Sequence, residues 1–139
     1  MTLRGYVDTN IFLDYILDRK DRQGNPLMPE VEEFFMRIYT TDMEIIISEK
    51  VTEELYCTLK DISRGYMLFS MLTSQDKLII VPYTAQDLEE ATKLDPENRN
   101  DALHALLARK HGAQYLVTRN MKHFRKFSHI IEPKLPKEI

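Results

Sequence analysis

Residues 3–17, which read LRGYVDTNIFLDYIL, place a short apolar segment directly before a second one with helical spacing. The first segment, 3–7, has the length and composition of a strand, and the apolar residues from Ile11 to Leu17 indicate a helix. Asp8 to Asn10 lie at the junction between them. The stretch therefore predicts a strand, turn and helix with an acidic residue at the end of the strand.

The same alternation continues along the chain. Further strands are predicted at 44–48, 77–81 and 114–118, with a short fifth at 129–131, and further helices at 30–39, 50–61, 64–73, 84–94 and from Asn98 or Asn100 to Gly112. Strands that alternate with one or two helices form a parallel sheet covered on both faces. The 139 residues, 43% of them hydrophobic, suit a single domain over 1–139 with one core.

Composition limits the classes of function. No apolar run approaches the roughly 20 residues of a transmembrane helix, so no membrane partner is expected. The first residues lack the pattern of a signal peptide, and we expect a cytoplasmic protein. The single cysteine, Cys57, and the four scattered histidines have no spacing typical of a zinc site.

The charged residues are unevenly distributed, although the net charge is only −3. Residues 99–139 hold nine Lys and Arg against three Asp and Glu, which leaves ten basic and nineteen acidic residues in 1–98. An acidic half could supply metal ligands while a basic half holds phosphate. A solvated surface gradient explains the same pattern equally well.

Acidic residues after strands and on helices are the candidates for chemistry. In open parallel sheets, ligands bind outside the carboxyl ends of the strands, and Asp8 and residues 118–120 lie at the carboxyl ends of predicted strands. On its predicted helix, Glu54 lies about 60° from Val51 at about 100° per residue, whereas Glu53 lies about 160° from it. Glu54 therefore flanks the buried stripe, and Glu53 points away from it.

A third carboxylate, Asp101, lies in the first turn of its predicted helix. Ala105 and Ala108 follow one and two turns further along the same face, and their small side chains would let the helix approach the sheet closely. We expect this packing to bring Asp101 near the strand ends. His104, close by on that face, is expected to pack or to support a ligand rather than to bind metal.

Each carboxylate also has an ordinary structural role available. Asp8 could cap the following helix, Glu54 could be a solvated side chain, and Asp101 could interact with the helix dipole. A hydrolase of the haloacid-dehalogenase type also has Asp after its first strand, but its chemistry needs a second Asp two positions on, where this chain has Asn10.

Convergence of the three carboxylates would favour a bound cation. Their mutual repulsion would raise their pKa values unless a positive charge were present. Oxygen ligands suit Mg²⁺ or Mn²⁺, which bind substrate phosphate, activate water and stabilise the leaving oxygen. The pattern therefore predicts metal-dependent hydrolysis of a phosphodiester.

Four segments, taken together, resemble PIN domains, especially VapC-type toxins. They are VDTNIF at 7–12, the S-x-x-V-x-x-E-L pattern at 48–55, NDAL at 100–103 and YLVTRNMKHF at 115–124. The likeness covers almost the whole chain, in the right order. It implies a three-layer α/β/α Rossmann-like fold with a central parallel sheet of four to five strands.

The resemblance also assigns the site residues. It places Asp8, Glu54 and Asp101 at the positions of the family's acidic metal ligands, and Thr118 at the position of a strand-end hydroxyl. The family's fourth acidic position falls on Asn120, a neutral amide that can bind a water or a phosphate but adds no charge. The sequence therefore supports one metal ion and gives less support for a second one.

VapC-type toxins are endoribonucleases that a partner antitoxin silences and that commonly form homodimers. The resemblance therefore implies an RNA substrate, an antitoxin protein and self-association, for which the apolar residues of the 30–39 and 64–73 helices are candidate interface material. The basic residues that follow the site could neutralise RNA phosphates; they are Arg119, Lys122, Arg125 and Lys126. Two alternatives stay open: a housekeeping PIN nuclease without an antitoxin, and a catalytically silent PIN domain that binds RNA or acts as a scaffold.

Overall fold

One parallel sheet forms the centre of the fold in this computed structural model, which describes residues 3–59 and 63–139, with backbone only at 63 and 64. Its strands are β1 (Arg4–Val7), β2 (Glu44–Ser48), β3 (Leu78–Val81), β4 (Tyr115–Val117) and β5 (Glu132–Lys134). They are hydrogen-bonded in the order β3-β2-β1-β4-β5, and every pair is parallel. β1 is therefore the middle strand.

Seven α-helices occur among the described residues. They are α1 (Thr9–Ile16), α2 (Met28–Thr40), α3 (Glu49–Thr58), α4 (Ser63–Ser74), α5 (Ala85–Leu94), α6 (Arg99–Lys110) and α7 (Met121–Phe124). Within the described residues, none of these helices combines the length and the apolar character needed to cross a membrane.

Burial of the central strands shows that helices cover both faces of the sheet. Ile45, Ile46 and Ile47 are at most 1% exposed, although successive side chains of a strand point to opposite faces. Such continuous apolar runs are typical of parallel sheets buried on both sides. The predicted three-layer α/β/α fold is confirmed.

The predicted position of the fifth strand, 129–131, is wrong, because β5 lies three residues later. The backbone N–H groups of Ile130 and Ile131 donate to the Phe127 carbonyl oxygen, so they cannot pair with a strand. Ile131 is apolar because it packs into the core. Pro133 is tolerated within β5 because this strand is at the edge of the sheet and pairs only with β4.

The other elements agree with their predicted positions to within a few residues. α3 ends at Thr58, and Leu59 is its C-cap. Residues 60 and 61 of the predicted helix lie outside the described residues. The apolar residues of α2 and α4 that were candidates for an interface include both buried and exposed side chains. Phe34 and Phe35 are buried in the core, whereas Met67 is 71% exposed.

The start of α5 is fixed by a capping box between Thr84 and Asp87. The Asp87 backbone N–H donates to Thr84 Oγ1 at 3.1 Å, and the Thr84 backbone N–H donates to Asp87 Oδ2 at 2.8 Å. Lys110 Nζ at the end of α6 donates to Asp87 Oδ1 at 3.0 Å. One carboxylate thus both caps α5 and joins it to α6.

We predict that Asp87→Asn reduces the loss of stability in acid. Burial would raise the pKa of Asp87, but its hydrogen bonds from Thr84 and Lys110 lower the pKa below the usual 3.8. A group whose pKa is lowered on folding stabilises the native state above its unfolded pKa, and that stabilisation is lost as the pH falls through the folded pKa. Urea unfolding from about pH 5 to about pH 1 should therefore show a shallower decline for Asp87→Asn than for the unaltered chain.

The exposed Asp42 provides the control for this prediction. The decline for Asp87→Asn should also be shallower than that for Asp42→Asn, which removes an exposed carboxylate away from the capping box. Equal slopes for the unaltered chain and Asp87→Asn would contradict the prediction.

Candidate active site

Asp8 lies at the carboxyl end of the middle strand and is 4% exposed. Its backbone N–H donates to the Val117 carbonyl oxygen of β4 at 3.0 Å, which holds the two strand ends together. Its side chain makes no capping hydrogen bond to α1. Instead, Asp8 Oδ2 accepts the Thr118 hydroxyl at 3.0 Å. The Asp8 side chain is therefore a buried carboxylate at the carboxyl end of the sheet, and it does not cap the helix.

Burial and two acidic neighbours resist the ionisation of Asp8. Burial raises the pKa of Asp8 above its usual value, and the nearby carboxylates of Asp101 and Glu54 raise it further. His104 and the hydroxyl of Thr118 act in the opposite direction. Asp101 and Glu54, which come from distant parts of the chain, thus lie within electrostatic reach of Asp8.

Glu54 projects from α3 towards the same place, with its side chain 31% exposed. Burial alone would raise the pKa of Glu54, but the hydrogen bond and the charge of His104 bring the pKa below its usual value. Glu54 is therefore ionised at neutral pH. The exposed Glu53 instead accepts a hydrogen bond from the Tyr83 hydroxyl at 2.7 Å.

His104 connects Glu54 to the core through a chain of buried hydrogen bonds. Its Nε2 lies 2.8 Å from Glu54 Oε1, and because a carboxylate can only accept, Nε2 carries the proton. Its Nδ1 lies 2.7 Å from the Tyr6 hydroxyl, which lies 2.7 Å from Ser48 Oγ. Burial raises the pKa of Tyr6, so its hydroxyl stays protonated. His104 therefore supports the Glu54 carboxylate, and the hydrogen bonds through Tyr6 and Ser48 set the orientation of the His104 ring.

Tyr6 and the side chain of Ser48 are not among the site residues that the sequence pattern indicated. One signal was available, because Tyr6 lies two positions before Asp8 and residues i and i+2 of a strand share a face. Ser48 is also the N-cap of α3, where its Oγ accepts the Val51 N–H. Neither observation indicates that the Tyr6 hydroxyl lies between Ser48 Oγ and His104 Nδ1.

Asp101 lies at the rim of the site, on the first turn of α6, with its side chain 26% exposed. Ala105 and Ala108 are completely buried, so α6 approaches the sheet closely. Asp101 Oδ2 lies 3.5 Å from His123 Nδ1. A cleft of about 450 Å³, lined by residues 96–101, opens beside it.

Thr118 and Asn120 follow β4. The Thr118 hydroxyl donates to Asp8 and accepts the Asn120 backbone N–H at 3.0 Å. The Asn120 side-chain amide nitrogen lies 2.9 Å from His123 Nδ1. The turn after β4 therefore contacts Asp8 directly, and it reaches Asp101 through His123.

The donor set fits a hydrated divalent cation. Three carboxylates provide the oxygen atoms that Mg²⁺ and Mn²⁺ prefer, but among residues 3–59 and 63–139 no three Asp, Glu, His or Cys side chains lie close enough together to bind one ion directly. Glu54 faces His104 and Asp101 faces His123 instead. Because Mg²⁺ keeps several of its waters, one or two direct carboxylates are sufficient.

Comparison with known proteins gives a family and a fold. A family model described as the PIN domain matches residues 4–122. One solved structure, a toxin–antitoxin complex from Klebsiella pneumoniae, is similar with a TM-score of 0.60 and 22% sequence identity, over 97% of this chain and 99% of that one. At this identity the likeness shows a shared fold. No curated protein matches the sequence significantly.

We predict that Asp8→Asn increases stability in the absence of metal. The change removes a buried charge that two neighbouring carboxylates repel, and we expect a gain of about 0.5–2 kcal/mol. Urea unfolding with EDTA in neutral to mildly alkaline buffer measures it. Asp14→Asn should have the opposite sign, because the Asp14 carboxylate is completely buried but accepts Arg119 Nε at 2.6 Å. A loss of stability in Asp8→Asn would contradict the prediction.

We also predict that Tyr6→Phe destabilises the fold by about 1–3 kcal/mol, because His104 and Ser48 would each lose a buried partner. Tyr115→Phe is the matched control, since the Tyr115 hydroxyl contacts only Met43 Sδ, at 3.9 Å, among the described residues. Its free energy of unfolding should change by less than about 0.5 kcal/mol. Equal effects of the two changes would show that the hydrogen bonds of the Tyr6 hydroxyl do not stabilise the fold.

Proposed function

The chain belongs to the PIN-domain family, and on that premise we propose that it is a metal-dependent endoribonuclease, the toxin of a toxin–antitoxin pair, which hydrolyses RNA phosphodiester bonds. One observation carries the proposal: Asp8 is buried at the end of the middle strand, within electrostatic reach of Glu54 and Asp101. Like charges gathered in this way destabilise a fold and are typical of sites that bind a cation.

Asp8 and Asp101 would hold Mg²⁺ or Mn²⁺, and Glu54 would complete the site or orient the attacking water. When bound, the ion lowers the pKa of a water molecule and offsets the charge that develops on the phosphate. Thr118 fixes one oxygen of Asp8 through its hydroxyl and leaves the other for a ligand. His104 keeps Glu54 ionised and holds its carboxylate in place.

Asn120 supports the use of one ion rather than two. Its amide adds no negative charge to the site, and its side-chain nitrogen contacts His123. Two divalent ions would place four positive charges against the three carboxylates of Asp8, Glu54 and Asp101. Asn120 can instead donate a hydrogen bond to a water or to a phosphate oxygen.

Two partners follow from the toxin assignment. The similar Klebsiella pneumoniae structure is a toxin–antitoxin complex, which supports an antitoxin as the partner of this chain. Tyr56, Tyr66 and Met67 are between 71% and 81% exposed, and exposed apolar groups of this size suit contact with another protein. We also propose a homodimer. A housekeeping nuclease with the same site would need no antitoxin.

A catalytically silent RNA-binding domain is the second candidate. It is favoured by Asn120 at the fourth acidic position and by the turning of Glu54 and Asp101 towards histidines. Such a domain would bind RNA without cutting it, and its binding would not require a metal ion.

We predict that the purified protein cuts RNA from a mixed cellular pool with Mg²⁺ or Mn²⁺ and not with EDTA. Asp101→Asn should abolish the cutting. Glu54→Gln should slow it about 10²- to 10⁴-fold, the range for loss of a group that moves a proton. Glu53→Gln is the matched control on the same helix, and it should cut at the normal rate because Glu53 faces away from the site.

Melting temperatures separate the loss of metal binding from the loss of chemistry. Mn²⁺ should raise the melting temperature of the unaltered chain and have little effect on Asp101→Asn, because a ligand stabilises only the state that binds it. Full cutting by a folded Asp101→Asn protein would contradict the proposed site. RNA binding without cutting under any condition would identify the silent domain instead.

A further inference from the structure

A cleft of about 220 Å³ lies beside the candidate active site and is lined by Asn10, Arg19, Arg119 and Asn120. Asn10 lies two residues after Asp8, and Arg119 follows Thr118 directly. The cleft therefore adjoins the carboxyl ends of β1 and β4, where Asp8 and Thr118 lie. The carboxylate site uses neither of the cleft's two arginines, of which Arg119 is one of the basic residues expected from the sequence to neutralise RNA phosphates.

A buried carboxylate holds one of these arginines in place. Asp14 is completely buried, and its Oδ2 accepts a hydrogen bond from Arg119 Nε at 2.6 Å. This is the only hydrogen bond that the Arg119 guanidinium makes within the described residues. Both terminal nitrogen atoms therefore keep their donors, and the side chain is 27% exposed. The guanidinium is oriented in advance for a ligand with two acceptor oxygens.

The second arginine is positioned by the loop between α1 and α2. The Arg19 carbonyl oxygen accepts the Leu27 N–H at 3.0 Å, and the Arg19 N–H donates to the Asp14 carbonyl oxygen at 3.2 Å. Arg19 Nη1 donates to Asn10 Oδ1 at 3.1 Å and lies 3.9 Å from Asp14 Oδ1. Its side chain is 36% exposed.

Asp14 does not neutralise the pair completely. Two guanidinium groups carry two positive charges against one carboxylate, and Asp14 Oδ1 has no hydrogen-bond partner among the described residues. Asp21, whose carboxylate accepts the Gln23 and Asn25 N–H groups, lies within electrostatic reach of Arg119 and offsets part of the remainder. The rest of the positive charge lies beside the negatively charged site. A partner with one negative charge and two free oxygen atoms matches it, and a phosphodiester has both.

We propose that the cleft between Arg19 and Arg119 binds a backbone phosphate of the RNA strand, next to the phosphate that is cut. This inference rests on the proposed function and adds a subsite to it. Arg119 binds the phosphate through its terminal nitrogens, and Arg19 neutralises it from the opposite wall. The contact is made to the backbone, so it positions the strand without reading its sequence.

Binding of a short single-stranded oligoribonucleotide of mixed sequence, measured against NaCl concentration, tests the proposal. Asp101→Asn serves as the background because it stops cutting and removes a negative charge near the strand. Adding Arg19→Gln should reduce the slope of log Kobs against log salt by about 0.7, the value for one phosphate contact on a single strand. At about 0.1 M salt the same contact corresponds to about fivefold weaker binding.

Arg109→Gln is the charge-matched control, because Arg109 is exposed near the opposite end of α6 from Asp101. It should leave the slope unchanged. Arg119→Lys is the second variant: it keeps the positive charge beside Asp14 but loses the forked donor, so it should weaken RNA binding with a smaller effect on the melting temperature than Arg119→Gln.

The outcomes distinguish this inference from the proposed function. Equal slopes for Arg19→Gln and its background, or equal losses in Arg19→Gln and Arg109→Gln, would overturn the phosphate subsite. If the unaltered chain still cuts RNA in that case, the nuclease proposal stands. No binding of RNA by the background protein and no cutting by the unaltered chain would overturn both.

Discussion

Burial of negative charge at the carboxyl end of β1 is the constraint on which the rest of the site depends. The hydrogen bond from its backbone N–H to Val117 holds Asp8 at this strand end, where the residue is 4% exposed. Thr118 supplies one hydrogen bond, and the positive field of His104 opposes the effect of burial. These contacts leave the carboxylate short of a full counter-charge. Protonation, which the raised pKa favours, or a bound cation relieves this imbalance.

Two buried aspartates, Asp8 and Asp14, show opposite solutions to this constraint. Asp14 is completely buried and has the Arg119 guanidinium at 2.6 Å, so its charge is compensated within the protein. Asp8 has two carboxylates in electrostatic reach and no cationic side chain in contact among the described residues. The first arrangement stabilises the link between α1 and the turn after β4. The second costs stability, and folds accept that cost chiefly at functional sites.

The hydroxyl of Tyr6 and the imidazole of His104 connect the site to the core. A series of hydrogen bonds runs from Ser48 through Tyr6 of β1 and His104 of α6 to Glu54. Small shifts of α6 against the sheet would therefore change the position of the Glu54 carboxylate. Ala105 and Ala108 restrict such shifts, since they let the helix pack directly on the sheet without side chains that could rearrange. Close packing therefore serves the geometry of the site as well as the stability of the fold.

Sequence alone determined the parallel sheet, most helix boundaries and the different directions of Glu54 and Glu53, because the period of apolar residues reports which face of an element is buried. It did not place β5, since the apolar residues at 130 and 131 fill the core while their backbone N–H groups are used in a turn. Only the tertiary structure decided the contacts of His104 with Glu54 and of Arg119 with Asp14, whose partners are 50 and 105 residues apart. Periodicity shows that a side chain faces inward, but the group opposite it depends on how distant elements pack.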